Sequence, residues 1–271
     1  MDFKNKVVII TGASSGIGLA LANELAKRGA NLVLAARQYV TLCEITSNLE
    51  KDYQIRAIAV QTDVSKEEDC KILVDQAIHA FGQIDVLINN AGLSMRALFT
   101  DVDLSVLKNL MDVNFWGTVY CTKYALPEIL KTKGTVVGVS SIAGFRGLPG
   151  RTGYSSSKFA MNGFIESLRT ELLQTGVHVM LACPGFTTSN IRVAALSAEG
   201  KAHGETSMEE GKMMSPEEVA TNIADGIIAG KRTLVMTGQG KLTVWLNKLL
   251  PALADKLVFN HFTKEKNALI K

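Results

Sequence analysis

The chain has 271 residues, 47% of them apolar, and carries a net charge of +3. That length suits one large α/β domain or two small ones, with enough apolar side chains for a substantial core. Lys and Arg are scattered rather than gathered into a stripe, which argues against a nucleic-acid partner.

In chain order, apolar β-branched runs alternate with amphipathic segments. "KVVIIT" (6–11) reads as a strand, and "GLALANELAKRG" (18–29) as a helix that stops at a glycine. "NLVLAA" (31–36) is a second strand and "YVTLCEITSNLEK" a second helix. "IRAIAVQTD" (55–63) and the helical "KEEDCKILVDQAIHAFG" follow, then the strand "IDVLINNAG" (84–92) and a long helical stretch over about 103–131. "GTVVGVSS" (134–141) is a fifth strand, followed by a helix over about 154–175 closed by Gly176. "VHVMLACPG" (177–185) and "RTLVMTG" (232–238) complete seven strands.

These strands are continuously apolar rather than alternating, the mark of strands buried on both faces of a mostly parallel sheet. Regular β-α alternation predicts right-handed crossovers and a doubly wound α/β fold with helices on both faces. No low-complexity linker or internal repeat divides the chain, so one domain over 1–271 is expected. The exception to the rhythm is the polar insertion 186–218, whose length is that of a lid or binding loop.

Cys43, Cys70, Cys121 and Cys183 form no CxxC pair and read as small buried residues in a reducing compartment. His79, His178, His203 and His261 have no metal-ligand spacing. The N-terminal stretch lacks a leader pattern and no apolar run is long enough for a membrane span, so a cytoplasmic location is expected.

The first strand runs directly into "TGASSGIG" (11–18). Gly12 would permit a tight turn, Gly16 a close approach of backbone to a pyrophosphate, and Gly18 close helix–sheet packing. Ser14, Ser15 and Ile17 fill the loop between them, and the following helix N-terminus offers N–H groups and partial positive charge. The physics is that of a dinucleotide cradle, although the glycine spacing differs from GxGxxG. An NAD site usually carries an acid at the end of the second strand to hold the ribose 2′-OH. Here that strand ends at Ala36 and Arg37. Arg37 can pair a 2′-phosphate, with Ser14 or Ser15 adding a hydrogen bond, which favours NADP(H) over NAD(H).

"TGASSGIG", "NNAG" (89–92) and "YSSSK" (154–158), in this order, resemble the short-chain dehydrogenase/reductase family in its standard-length branch. The likeness is strong over about residues 4–190. It implies a Rossmann-type sheet, a homodimer or homotetramer, and hydride transfer between a nicotinamide cofactor and a carbonyl or secondary alcohol. By the same resemblance Asp63, with Val64, contacts adenine; Asn90, Ala91 and Gly92 line the adenosine ribose; and Asn89 braces the sheet. "PGFTTS" (184–189) supplies Pro184, Gly185, Thr187 and Ser189 on the nicotinamide side, Ser189 standing where the family has Thr. Asn114 in "DVNFWG" and Ser141, thirteen residues before Tyr154, match the remaining catalytic positions.

The catalytic logic is electrostatic. A free phenol has a pKa near ~10, and a neighbouring ammonium favours phenolate. A shift of about three units corresponds to about 4 kcal/mol. Tyr154 is thus the expected general acid/base, biased by Lys158, which also holds the nicotinamide ribose. Ser141 polarises the substrate oxygen, and Asn114 anchors a water that links Lys158 to solvent. Ser155–Ser157 are small and let the helix sit close to the cofactor. Two other readings share features of the motif set: a sugar-nucleotide epimerase or dehydratase, and a non-catalytic NADP-binding regulator. The first usually has a GxxGxxG loop and a longer C-terminal domain; the second would be favoured by loss of the Tyr or Ser, and both are present.

The expected substrate wall is Ser94, Met95, Phe145, Leu148, Phe186 and the 186–218 segment. It suits an apolar carbonyl such as a ketoacyl chain, a lipid ketone or a steroid-like ring. The C-terminal segment, about 240–266, repeats Leu at helical spacing around Trp245, with Pro251 expected to kink or split the helix. It resembles the corticosteroid-dehydrogenase-like branch, in which such segments border the substrate entrance and can touch membranes. Two readings are open: leucines packed on the protein's own core or a second subunit, or an apolar cap that dips into a lipid surface.

Overall fold

The computed structural model describes residues 2–188, 191, 194–202, 204, 213–264 and 268–270. Seven strands form one sheet: β1 (Val7–Thr11), β2 (Asn31–Ala36), β3 (Ala57–Gln61), β4 (Val86–Asn89), β5 (Thr135–Val139), β6 (His178–Cys183) and β7 (Thr233–Val235). Their order is β3-β2-β1-β4-β5-β6-β7 and every pairing is parallel, so the expectation of a mostly parallel sheet is met without exception among the described strands.

Alternate residues of each strand point to opposite faces. Val8 and Ile10 pack with α1 (Gly16–Lys27), α2 (Tyr39–Tyr53) and α7 (Pro216–Ile228). Val7 and Ile9 pack with α3 (Glu67–Phe81), α5 (Gly117–Thr132) and α6 (Thr152–Glu171). Both faces of the central strands are therefore covered, which is why their sequences show no polar alternation. β1 has β2 on one side and β4 on the other. The chain reverses direction across the sheet there, and a crevice opens at the carboxyl ends of the strands.

The long helical stretch expected over 103–131 is helical throughout but not uniform. α4 (Leu104–Met111) passes through one turn of π-helix at Asp112–Trp116 before α5 begins. Such widened turns cluster at functional sites, and this one carries Asn114.

The expected 186–218 insertion ends slightly earlier. Ser215 caps α7 by accepting from the Glu218 N–H at 3.0 Å, with Pro216 as the first helical residue. The described parts of the insertion are tied to the β4–α4 loop. Leu196 N–H donates to Ser94 O and Arg96 N–H to Leu196 O, both at 2.9 Å.

The C-terminal helix is split as its proline predicts, into α8 (Gly238–Leu249) and α9 (Pro251–Phe262). Arg146 fastens the pair to the body through Asn247 and Asp255. Leu242, Trp245, Leu249, Leu250, Leu253 and Leu257 are 44–59% exposed. The reading in which these leucines pack on the protein's own core is overturned for them. Among the described residues, no helix is long and apolar enough to cross a membrane.

Candidate active site

The glycine loop is shaped by what it excludes. Gly12 and Gly16 have positive φ, 66° and 54°, where side chains are strained. A Cβ on Gly18 would lie 2.1 Å from Gly12 O, so α1 can close onto the loop only without one. Asn90 braces the same loop: its Nδ2 donates to Thr11 O at 2.9 Å and to Gly12 O at 3.3 Å. The Thr11 hydroxyl accepts from the N–H groups of Asn90 and Ala91, both at 3.0 Å. Asn89 points into the core and donates to the Thr122 hydroxyl on α5 at 3.0 Å. At the N-terminus of α1, Ser15 makes no side-chain cap and no acid occupies the first turn. The loop thus presents backbone N–H groups and partial positive charge to an anion.

At the end of β2 the chain turns outward, leaving Arg37 and Gln38 exposed at the rim. Asp63 lines the same end of the crevice. Its carboxylate accepts from Ser65 N–H and Oγ, at 3.1 and 2.7 Å, and so also shapes the turn into α3.

At the other end stand the side chains with proton chemistry. α6 holds Tyr154 and Lys158 one turn apart, with Lys158 Nζ 5.9 Å from the centre of the Tyr154 ring. Lys158 is 3% exposed, and its Nζ donates to Val139 O at the end of β5 at 2.9 Å. Burial, with no carboxylate partner among the described residues, lowers its pKa from 10.5 to about 8. Cys183 at the end of β6 lies behind it; burial pushes its thiol up to about 12, so it stays protonated and supplies no counter-charge. Ser141 caps the short 3₁₀ turn Ile142–Gly144, its Oγ accepting from Ala143 N–H at 3.1 Å, and still lines the crevice.

Asn114 is fully buried, one layer behind. Its amide hydrogens go to Leu93 O at 2.9 Å and Ser157 Oγ at 2.8 Å, and its Oδ1 accepts from Leu93 N–H at 2.7 Å. Both donors are committed, so any water it anchors must be held through an acceptor. The serines between Tyr154 and Lys158 act as staples as well as small residues. Ser157 Oγ donates to Tyr154 O at 2.8 Å, and Ser155 Oγ accepts from Leu148 N–H at 3.2 Å.

One crevice of about 540 Å³ joins the two ends. Of the residues singled out in the sequence, it brings together Gly12, Ser14, Ser15, Gly16, Ile17, Arg37, Asp63, Val64, Asn90, Ala91, Gly92, Ser94, Met95, Ser141, Leu148, Tyr154, Lys158, Pro184, Gly185, Phe186 and Thr187. Gly18 and Asn114 support it from behind. Phe145 is a correction: it does not line the crevice but packs against the core under β5 and β6, while its carbonyl accepts from Asn247. Ser189 lies outside the described residues. Reading the sequence misses Arg96 and Arg151, which also line the crevice. Arg151 stands three residues before Tyr154, a one-turn spacing that could have flagged it.

The comparisons agree with this geometry. The family described as "short chain dehydrogenase" matches residues 6–200. An Arabidopsis thaliana protein named 11-beta-hydroxysteroid dehydrogenase-like 4A is 38% identical over 249 residues, covering 92% of this chain and 82% of its own. A short-chain dehydrogenase/reductase from Burkholderia phymatum, solved in complex with NAD, superimposes with a TM-score of 0.81 at 26% identity, covering 93% of this chain and 96% of its own. An alcohol dehydrogenase from Thermococcus sibiricus, complexed with 5-hydroxy-NADP, gives 0.72 at 25% identity, covering 85% and 94%. With its sheet order, glycine loop and Tyr-Lys helix in one crevice, the chain belongs to the short-chain dehydrogenase/reductase family of oxidoreductases.

Proposed function

We propose that the protein is an NADP(H)-dependent reductase of an apolar ketone, or in reverse a dehydrogenase of the secondary alcohol, and that the whole chain is one cofactor-binding domain with 186–218 as a substrate lid. The observation that carries this reading is the single crevice joining Tyr154, Lys158 and Ser141 to the glycine loop and Arg37. The residues fit a dinucleotide. A Cβ at Gly12 would collide with Ala91 Cα at 2.9 Å and one at Gly18 with Gly12 O at 2.1 Å, and the loop faces an uncapped helix N-terminus. When bound, the cofactor supplies or accepts the hydride. Gly12, Ser14, Ser15, Gly16 and Ile17 would hold its phosphates, Asp63, Val64 and Asn90–Gly92 its adenosine, and Pro184, Gly185 and Thr187 its nicotinamide.

The chain's own work is proton management. Ser141 orients the substrate oxygen, and Tyr154 Oη donates a proton to it in reduction and removes one in oxidation. Lys158, rigid on Val139 O, favours the phenolate and holds the nicotinamide ribose. Asn114 acts as a positioning residue, fixing Leu93 beside Gly92 and, through Ser157, the Tyr154 turn. Arg37 and the absence of an acid at Ala36 favour a 2′-phosphate. The structural relatives include one with NAD and one with an NADP derivative, so the choice rests on these two positions. A reduced NADP pool in a cytoplasmic setting would drive reduction.

The substrate end mixes Ser94, Met95, Leu148 and Phe186, which suits a ketoacyl, lipid or steroid-like ketone. The exposed side chains Trp116 and Phe159, on adjoining helical elements, provide a face for a second copy in a homodimer or homotetramer. The uncovered leucines of α8 and α9 suit a peripheral membrane contact. The test is NADPH oxidation at 340 nm against a panel of apolar ketones. Tyr154→Phe should lower kcat by about 10²-fold or more while leaving NADPH affinity nearly unchanged. Retention of more than about a tenth of parental kcat would remove Tyr154 from the proton-transfer step.

A further inference from the structure

Tyr154 and Lys158 are followed on the same face of α6, one further turn along, by Asn162, which is 6% exposed. A buried amide is costly unless it is hydrogen-bonded at both ends. This one is, and both bonds fall on the short stretch that carries Ser141. Its Oδ1 accepts from Ser140 Oγ at 2.6 Å, and its Nδ2 donates to Gly144 O at 2.8 Å. A carbonyl can only accept, so Gly144 O fixes which way the amide points and makes Ser140 the donor at the other end. The stretch is shaped for this contact. A Cβ on Gly144 would lie 2.8 Å from both Asn162 Nδ2 and Ser140 Oγ. Gly144 is not among the glycines with positive φ, so its bare Cα serves close approach rather than an unusual turn.

Just upstream, Lys158 Nζ donates to Val139 O. α6 therefore grips the chain at Val139, Ser140 and Gly144, with Ser141 between the grips. Ser141 and Tyr154 must meet at one substrate oxygen, yet they come from different elements. The clamp refers both of them to the same helix. It also separates two adjacent serines that both line the crevice. Ser140 commits its hydrogen to Asn162, whereas Ser141 Oγ accepts from Ala143 N–H and keeps its own hydrogen for the substrate oxygen. We propose that Asn162 is a positioning residue for the reaction: through Ser140 and Gly144 it holds Ser141 where it can share the substrate oxygen with Tyr154. This rests on the reading of Ser141 and Tyr154 as the pair that meets that oxygen, and adds to it a residue that does not line the crevice.

A double-mutant cycle between Asn162→Ala and Ser141→Ala tests this in the full-length protein. The readout is kcat for NADPH-dependent reduction of 2-decanone, 2-decalone and acetophenone, followed at 340 nm. Asn162→Ala should lower kcat about 10- to 100-fold, the scale of a misplacement of about 1 Å at a reacting group. NADPH affinity, read from the fluorescence of the bound nucleotide, should stay near the parental value. In the Ser141→Ala background the same substitution should cost nothing further, because the group it positions is gone. An amide with a merely structural role would lower kcat by the same factor in both backgrounds. Losses that multiply in this way overturn the proposal, as does parental kcat in folded Asn162→Ala. If Asn162→Ala does not fold, Ser140→Ala takes its place, since it breaks one arm of the clamp and keeps the tie to Gly144 O. Its loss should be smaller and should also vanish beside Ser141→Ala; no loss, or one that persists there, overturns the proposal. Failure of the parent to reduce any of the three ketones would remove the reductase reading and the clamp's purpose with it. Reduction by the parent with multiplying losses would remove the role of Asn162 alone.

Discussion

Lys158 shows how the site sets stability against chemistry. Its ammonium is buried against a single carbonyl, and its pKa falls to about 8. Between that value and the ordinary 10.5, the unfolded chain holds a proton that the folded chain has released, so this group's contribution favours folding increasingly as pH rises through the window. At pH 7 the buried charge costs about 3 kcal/mol. Lys158→Met removes that cost and leaves Val139 O without its partner, a loss of about 1 kcal/mol. The variant should therefore be inactive yet about 2 kcal/mol more stable than the parent at pH 7, an advantage that vanishes by about pH 10.5. Urea denaturation at both pH values checks this, and a pH-independent difference would contradict it. Arg37 is the opposite case, an exposed side chain whose proposed role needs only reach and charge. Arg37→Asp should weaken NADPH binding by about 1.5–3 kcal/mol while sparing NADH. Equal kcat/KM for the two cofactors in the parent protein would remove the basis for the NADP(H) assignment.

The elements meet the site through close approaches rather than through large contact surfaces. α1 reaches the glycine loop because Gly18 has no side chain; an added Cβ would sit 2.1 Å from Gly12 O and 2.6 Å from Asn90 Nδ2. Gly18→Ala should cost about 1–3 kcal/mol of stability by overpacking and should also weaken NADPH binding by moving the loop. Gly147→Ala, where a Cβ meets nothing within 4 Å, is the matched control and should change neither. Thermal unfolding with and without NADP+ separates the two effects. The C-terminal hairpin follows a different rule. Leu250 and Pro251 break the helix, Ala254 and Phe262 are buried, and Arg146 ties both halves to the turn that follows Ser141. Its attachment therefore combines polar ties with buried apolar side chains, and its free face is apolar.

For the molecule as a whole, that free face is a surface left unexplained by folding. Trp245 and Leu257 are 56% and 50% exposed, close beside Lys248 and Lys256 in sequence, and all four lie outside the crevice. Such a face combines apolar side chains with positive charge, as peripheral lipid binding requires. In co-sedimentation with anionic liposomes at low salt, the parent should pellet and Leu253→Glu with Leu257→Glu should remain in the supernatant. Equal partition of both proteins, each still folded, would end the membrane reading and leave the face to a partner subunit.

Much of this protein was legible in its sequence. Buried parallel strands must be continuously apolar, a tight loop against a helix must use glycine, and a helix fixes the spacing of Tyr154 and Lys158. These are local consequences of backbone geometry, so seven strands and the glycine loop could be read without coordinates. What folding in three dimensions decided was proximity between segments distant in the chain. Phe145 lies four residues from Ser141 yet faces the core, because the 3₁₀ turn rotates it away from the crevice. Asn114 meets Leu93 and Ser157 only because a π turn interrupts the α4–α5 helix. Arg96 and Arg151, fifty-five residues apart in number, stand side by side because Ala97 and Gly150 share a hydrogen bond between two loops. No periodicity encodes such a meeting, since it depends on how the strand order brings separate crossover loops to one edge of the sheet.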